Sequence, residues 1–348
     1  MTEETKNSYN CAQRSEPVFR LYANCIPVKG ARRSLICDLQ KNRAQFIPND
    51  LFRILNECSD LTLPEIKALY GGAEDETIDQ YFDLLLREDY GFWCDEPDRF
   101  PPLDMSWDRP ERITNAIIDI DRSSRHDFKS VFAQLDELGC QALQIRSYDD
   151  LTLPAVEEIL QACKGGRLRH LDLIVKFQTA FTEEILLELC MRNQVVSRLL
   201  VHSSPADHRV ERDKVPFAIR YFEQAVTPTS CGEVAPGYFS ITLDHFTEAL
   251  HFNSCLNRKI SIGADGEIRN CPAMKHSCGN IRDVQLTAAV RDESLIQFAT
   301  VTKDQIAVCR DCEFRYICTD CRAYVSDPGD QYSKPAKCSY NPYSATWE

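Results

Sequence analysis

A chain of 348 residues that is 43% hydrophobic and 27% charged has the apolar content of a folded protein and the length for two or three domains, which excludes wholesale disorder. Its net charge of -13 argues against a nucleic-acid partner held through phosphates, because such binding draws on Lys and Arg. Basic peptides or proteins suit it better. The opening MTEETKNSYNCAQRSEP lacks the basic start and apolar core of a secretion signal, and no apolar run approaches the roughly 18 residues of a membrane span, so the expectation is a cytosolic protein without a membrane partner. Seventeen cysteines are many and odd in number, and in a reducing compartment such thiols stay free unless a metal takes them.

Between Glu16 and Asp95, VFRLYANCIPV, SLICDL and AQFIP are short branched or aromatic runs, and QKNR between the last two reads as a hairpin turn. Three helical patterns follow: Leu51, Ile54, Leu55 and Cys58; Ile66, Leu69 and Tyr70, stopped by Gly71 and Gly72; and Ile78, Tyr81, Phe82 and Leu85. Three strands and three helices make residues 16–95 a small winged-helix-like module. Proline-rich residues 96–112 read as a linker. From Ile113 the runs NAIIDI, ALQIRSY, HLDLIVKF and SRLLVHS alternate with amphipathic stretches such as Phe128, Val131, Phe132, Leu135 and Leu138. Such βα repetition demands a parallel sheet, either doubly wound or a whole or partial barrel, over residues 113–250. PFAIRYFEQAV and YFSITLDHFTEAL add a further helix, strand and helix to this expectation. After Cys255 regular structure is expected to give way to cysteine-studded turns across residues 251–348.

The cysteines of that last region are Cys255, Cys271, Cys278, the run C-x2-C-x5-C-x2-C at Cys309, Cys312, Cys318 and Cys321, and Cys338. ADG, with Gly266 five positions before Cys271, is a tight turn that brings Cys255 and Cys271 together. A structural zinc site is one reading, but zinc ribbons separate their CxxC pairs by about 15 to 20 residues. Compressed runs are at home in iron-sulfur proteins, where the last cysteine of a run can serve a different cluster.

The pattern Cys255, Gly266, Cys271, Cys309, Cys312, Cys318, Cys321 and Cys338 resembles the SPASM domain, the C-terminal module of many radical S-adenosylmethionine peptide-modifying enzymes. The resemblance implies one or two auxiliary 4Fe-4S clusters, one held by Cys309, Cys312, Cys318 and Cys338 and the other by Cys255, Cys271 and Cys321. The second set lacks a fourth ligand, which Cys278 or Cys231 would supply unless the iron is open. The chain departs from that family in ending its run with C-x2-C rather than C-x3-C. It also has no CxxxCxxC, the motif that holds the cofactor-binding cluster after the first barrel strand; here that region reads NAIIDIDRSSRHDF. The middle therefore resembles a degenerate radical-enzyme partial barrel, with no S-adenosylmethionine expected.

The two ends, LYANCIPVKGARRSLICDLQ with FIPNDLFRIL and CEFRYICTDCRAYVSDPGDQYSKPAKCSYNPYSATWE, resemble the SPASM-domain peptide maturase of grasp-with-spasm systems. This implies an accessory maturation protein that binds a ribosomal precursor peptide through its leader and works with an ATP-grasp ligase. Two alternatives stand beside it: a redox or Lewis-acid enzyme using an open cluster, and a structural zinc protein. In the first module the expected docking edge is Ala44 to Pro48, walled by Tyr81 and Phe82 of the third helix. Other motifs are weak. No GxxxxGK[ST], GxGxxG or HExxH occurs, the histidines, His202 and His276 among them, are dispersed, and Asp119 and Asp121 near a strand end read as structural or solvated. Cys58, Cys163 and Cys190 read as core thiols, and Tyr340, Tyr343 and Trp347 as packing around the cysteines.

Overall fold

The computed structural model describes residues 16–211 and 215–348; Cys11 lies outside them. The run VFRLYANCIPV is two strands rather than one, β1 (Val18–Leu21) and β2 (Cys25–Val28), parted by a turn in which Cys25 N donates to Tyr22 O at 2.8 Å. With β3 (Ser34–Asp38) and β4 (Arg43–Ile47), β2 forms an antiparallel sheet in the order β2-β3-β4. The β3–β4 turn is organised by buried Asp38, whose Oδ1 accepts from Gln40 N and Lys41 N, and Asn42 takes a positive φ of 53° in it. Three helices follow where the apolar spacing predicts them, α1 (Asn49–Glu57), α2 (Leu63–Leu69) and α3 (Asp75–Arg87), and Thr62 with Glu65 closes a capping box on α2. The sequence pattern did not mark β5 (Gly91–Cys94), which pairs antiparallel with β1. Gly91 is required there, since a Cβ would fall 2.3 Å from Arg20 O.

The alternation of β3 gives its sheet two buried faces. Ile36 points into a core with Ile54, Ile78, Phe82 and Leu85, while Leu35 and Cys37 point the other way, against Phe246, Phe314, Ile317 and Tyr340. Phe82 is therefore a core residue, 3% exposed, whereas Tyr81 is partly buried at the edge of that core. Polar contacts reinforce the second face. Arg33 Nε donates to Glu313 Oε1 at 2.8 Å, Ala31 N to Asp311 O at 2.7 Å, and the Arg33 guanidinium lies 3.5 Å above the Phe46 ring, which itself meets Phe314 edge-on.

Residues 96–112 contain one 3-10 turn, Pro97–Arg99, and are strapped down at the far end. Trp107 Nε1 and Arg109 Nε both donate to Asp244 Oδ1, at 3.1 and 3.0 Å. Beyond them come β6 (Asn115–Ile120), α4 (Phe128–Glu137), β7 (Ala142–Ser147), α5 (Leu153–Ala162), β8 (His170–Lys176), α6 (Glu183–Arg192) and β9 (Val196–His202). Asp127, Thr152 and Thr182 cap the three helices by accepting from the N–H three residues on. Next are β10 (His208–Val210), β11 (Ala218–Tyr221), α7 (Leu243–His251), β12 (Lys259–Ile262) and β13 (Ile268–Arg269). Two short helices, α8 (Leu286–Ala289) and α9 (Glu293–Ile296), and a last hairpin, β14 (Tyr340–Asn341) and β15 (Thr346–Trp347), complete the order.

Eight strands join in the order β10-β11-β9-β8-β7-β6-β12-β13. All pairings from β11 across to β12 are parallel, and the outermost pair on each side is antiparallel. The strands from β6 to β9 are laid down in one direction, and the chain then returns to add β12 on the other side of β6, so the strand order reverses there. The fold class is thus mixed α/β with a large, mostly parallel sheet. Two expectations need correction. PFAIRYFEQAV supplies strand β11 instead of a helix, because Ile219 and Tyr221 alternate into the core at 2% exposure each. KISI, just after Cys255, is no irregular turn but β12, which pairs in parallel with β6. Cys58, Cys163 and Cys190 are buried as core thiols.

Among the described residues no helix is long and apolar enough to cross a membrane. Replacing Ile36, fully buried in the central strand, with Ala is expected to cost about 2 to 5 kcal/mol by denaturant titration. A loss below about 0.5 kcal/mol would contradict the two-faced packing of β3.

Candidate metal centre

Every cysteine among the described residues is a free thiol, and those of the C-terminal region other than Cys278 fall into two groups of neighbours. Cys309 opens a 3-10 turn, Cys309–Asp311, preceded by Val308 at a φ of 69°, and Cys312 N donates to Cys309 O at 3.0 Å. Cys318 closes the next turn by donating its N–H to Phe314 O. Cys338 arrives from the tail, held by a bridge to Val234. Burial pushes the Cys309 thiol up to about 12, with Cys318 and Cys338 adding to it, and Cys312 is raised by burial, Cys318 and Cys309.

Lys303 is buried against this first set, 3% exposed. Its Nζ donates to Cys318 Sγ at 2.7 Å, to Cys318 O at 2.7 Å and to Thr319 O at 2.9 Å. Burial opposes the ammonium charge, and Cys318, Asp320 and Cys309 more than offset it. Asp320 is itself held by Arg322 at 2.8 Å and by Asn253 Nδ2 at 2.7 Å, which fixes the Cys318–Cys321 segment from behind.

The second set contains Cys255, Cys271, Cys321 and Cys231. The β12–β13 hairpin brings Cys255 and Cys271 together as the ADG turn implied, closing through Gly266 N to Gly263 O at 2.9 Å with Gly266 at a φ of 84°. Cys321 is raised by burial and by its neighbours Cys255 and Cys271. Cys231 arrives on a loop anchored by Lys337, whose Nζ donates to Thr229 O and Cys231 O at 2.7 Å each. The Cys271 thiol beside it, followed by Arg146 and Lys337, holds Cys231 down at about 6, and Cys271 is pushed up in turn. The approach is close. A Cβ on Gly232, which has a φ of 78°, would lie 2.6 Å from Cys321 Sγ. Lys259 plays the part of Lys303 here: its Nζ is 3.9 Å from Cys255 Sγ, and Cys255, Cys271 and Cys231 keep it charged against burial.

Of the two candidates for the fourth position, the fold brings Cys231 to the set and leaves Cys278 apart. Cys278 Sγ sits 3.7 Å from Ser294 Oγ, with Asp292 as its charged neighbour. Nothing in the sequence marked Lys303 or Lys259, since lysines in TKDQ and NRKISI read as surface residues.

Above β6 and β7 the ion pair of Asp119 and Arg146 is fully buried, with Nε–Oδ1 at 2.7 Å and Nη2–Oδ2 at 2.8 Å. Asp121 closes the following loop by accepting from Ser123 N at 2.7 Å, and His126 Nε2 meets Asp119 O at 2.9 Å. Both aspartates have structural partners. His202, at the end of β9, is likewise tied to Ser147 O at 2.9 Å. Tyr340 packs on Phe314 and Trp347, while Tyr343 is exposed.

The donor sets fit a multi-iron group better than a single zinc. Zinc with four sulfurs at about 2.3 Å would draw them to about 3.8 Å apart. Among the described residues the only three ligand atoms of His, Cys, Asp or Glu that lie within 4.8 Å of one another belong to His276, Cys278 and Asp292, outside both sets. An ammonium facing each set, buried for Lys303 and half-buried for Lys259, supplies the counter-charge that a thiolate-bound cluster needs.

Comparison with known proteins agrees at the level of the domain. Residues 254–313 match the SPASM family, an iron-sulfur cluster-binding domain. No curated protein sequence matches the chain. Two crystal structures of Streptococcus suis SuiB are similar in outline. The one bound to S-adenosylmethionine has 11% identity and a TM-score of 0.34, over 89% of this chain and 95% of that one. The one bound to precursor peptide SuiA has 9% identity and a TM-score of 0.31, over 92% and 98%. Both scores lie below the level at which a shared fold follows.

Lys303→Met removes a buried positive charge and a hydrogen bond to sulfur, and both stabilise the reduced state of a bound cluster. EPR-monitored redox titration of the loaded protein is expected to show a lower potential for one cluster, by at least a tenfold change in the one-electron equilibrium, about 59 mV. An unchanged potential would contradict the role of Lys303.

Proposed function

We propose that the chain is an accessory maturation protein for a ribosomally made peptide, which binds the precursor's leader, works with an ATP-grasp ligase and carries two auxiliary 4Fe-4S clusters. The observation that carries the reading is the sorting of eight cysteines into two sets of four. One cluster is held by Cys309, Cys312, Cys318 and Cys338, the other by Cys255, Cys271, Cys321 and Cys231. With Cys231 beside Cys271 the second cluster has four thiolates and no open iron, which favours a structural or electron-holding role over Lewis-acid chemistry. S-adenosylmethionine has no iron to bind, and the protein neither holds nor cleaves it.

Residues 16–95 are the leader-binding module in this reading, 96–112 its linker, 113–250 a degenerate radical-enzyme partial barrel and 251–348 the SPASM domain. Support for the module comes from the sheet order, in which β4 has one edge that pairs with no strand among the described residues. The C-terminal end of α3 is tied to the same hairpin, since Arg43 donates to Glu88 O and pairs with Asp38. Tyr81 remains available for side-chain selection, whereas Phe82 belongs to the core. The cytosol, where thiols stay reduced, is the compartment this chemistry requires.

Anaerobically purified protein is expected to hold iron and acid-labile sulfide at about 8 each per chain, and Cys231→Ser about 4. Zinc without sulfide would sink the reading. In the same preparation, calorimetric titration of the full chain with the leader of the precursor encoded beside it is expected to show binding that Tyr81→Ala weakens at least tenfold. The full chain is the proper sample, because the second face of the β2-β3-β4 sheet is buried on the cysteine-rich tail. Absence of binding would remove the capture role and leave the cluster assignment standing.

A further inference from the structure

His276 and Cys278, two residues apart, are not used by either cysteine set, and the fold adds a third donor to them. A ring nitrogen of His276, Cys278 Sγ and a carboxylate oxygen of Asp292 all lie within 4.8 Å of one another. The donors come from separate parts of the chain. Cys278 N donates to Ile268 O at 2.8 Å and Ile268 N to Gly279 O at 2.8 Å, so Cys278 is fixed along the edge of β13. Asp292 is the N-cap of α9, with Oδ1 accepting from Ser294 N at 2.9 Å and from Ser294 Oγ at 2.5 Å. Ser294 Oγ also stands 3.7 Å from Cys278 Sγ, and so braces two of the three donors.

We propose that His276, Cys278 and Asp292 bind a single zinc ion. One nitrogen, one sulfur and one oxygen suit a borderline cation, and zinc distances of about 2.0 to 2.3 Å place such donors roughly 3.3 to 3.8 Å apart, within reach of the observed spread. His276 and Asp292 are exposed and Cys278 half-buried, so the fourth position opens to solvent and takes a water. The ion clasps the irregular segment that follows Cys271 to helix α9. Iron-cluster service is a poor fit for Cys278, whose neighbours are Ser294 and Asp292 rather than Cys231, Cys255 or Cys321. The assignment does not rest on the maturation role and stands or falls by itself.

The test uses the full chain, purified anaerobically with its iron and sulfide measured, and titrated calorimetrically with Zn2+ in competition with a chelator. One equivalent is expected that His276→Ala and Asp292→Asn each weaken at least tenfold, with iron content and circular dichroism unchanged. Cys278→Ser is expected to do the same, and zinc-edge absorption of the wild type to show a single sulfur ligand. Zinc uptake indifferent to His276→Ala, no zinc uptake, or loss of iron in Cys278→Ser would each overturn the proposal.

Discussion

The gathering of thiols from five separate stretches of chain is the constraint on which the C-terminal third depends. Beyond α9 the described chain has only a 3-10 turn and the two-residue strands β14 and β15. Its own apolar cluster is small, Val301, Ile306 and Cys309 with Phe298. A segment so poor in ladder hydrogen bonds and core needs cross-links, and metal binding supplies folding free energy directly where the ligands are brought together only by the fold. The proposed clusters meet that need. Around them the polar framework is already complete: Lys303 and Lys259 face the sulfurs, and Arg322, Asp320 and Asn253 hold the backbone between Cys318 and Cys321.

The same constraint reaches the N-terminal region through β3. Because its two faces are both buried, the sheet whose β4 edge pairs with no strand among the described residues is also part of the wall behind Phe314 and Cys318. The Arg33, Glu313 and Tyr340 contacts make this junction polar as well as apolar, with Tyr340 donating to Glu313 Oε1 at 2.5 Å. In the proposed role, a leader docked on β4 would lie one strand away from the residues that pack the first cysteine set. The parallel sheet stands on the other side. Its strand ends meet the second set through Arg146, whose charge Asp119 neutralises and whose position lies close enough to influence Cys231.

Much of this was legible in the sequence, and the exceptions have physical causes. Helices α1 to α6 follow apolar spacing, and α2, α4, α5 and α6 carry side-chain caps at their starts, so periodicity found them. Strand β5 escaped because four residues directly after a helix stop carry no alternation of their own, and β12 escaped because KISI sits among cysteines and glycines that read as turns. The cysteines themselves were visible as spacing and their sorting into two sets was implied by the family resemblance, whereas the choice between Cys231 and Cys278 depended on tertiary geometry: Lys337 reaching back across more than 100 residues to the Cys231 loop, and Gly232 allowing contact with Cys321. A buried lysine such as Lys303 leaves no mark in sequence, since only the finished fold removes it from water.

Hydrogen exchange compared between the iron-loaded and the metal-stripped protein tests the central claim most directly. The account predicts that stripping releases protection over residues 227–234 and 300–348 while β6 to β9 and α4 to α6 stay protected, because the parallel sheet and its helices share one large core whereas the tail has only a small cluster of its own and borrows the rest from β3 and α7. Equal protection of the tail in both states would contradict it.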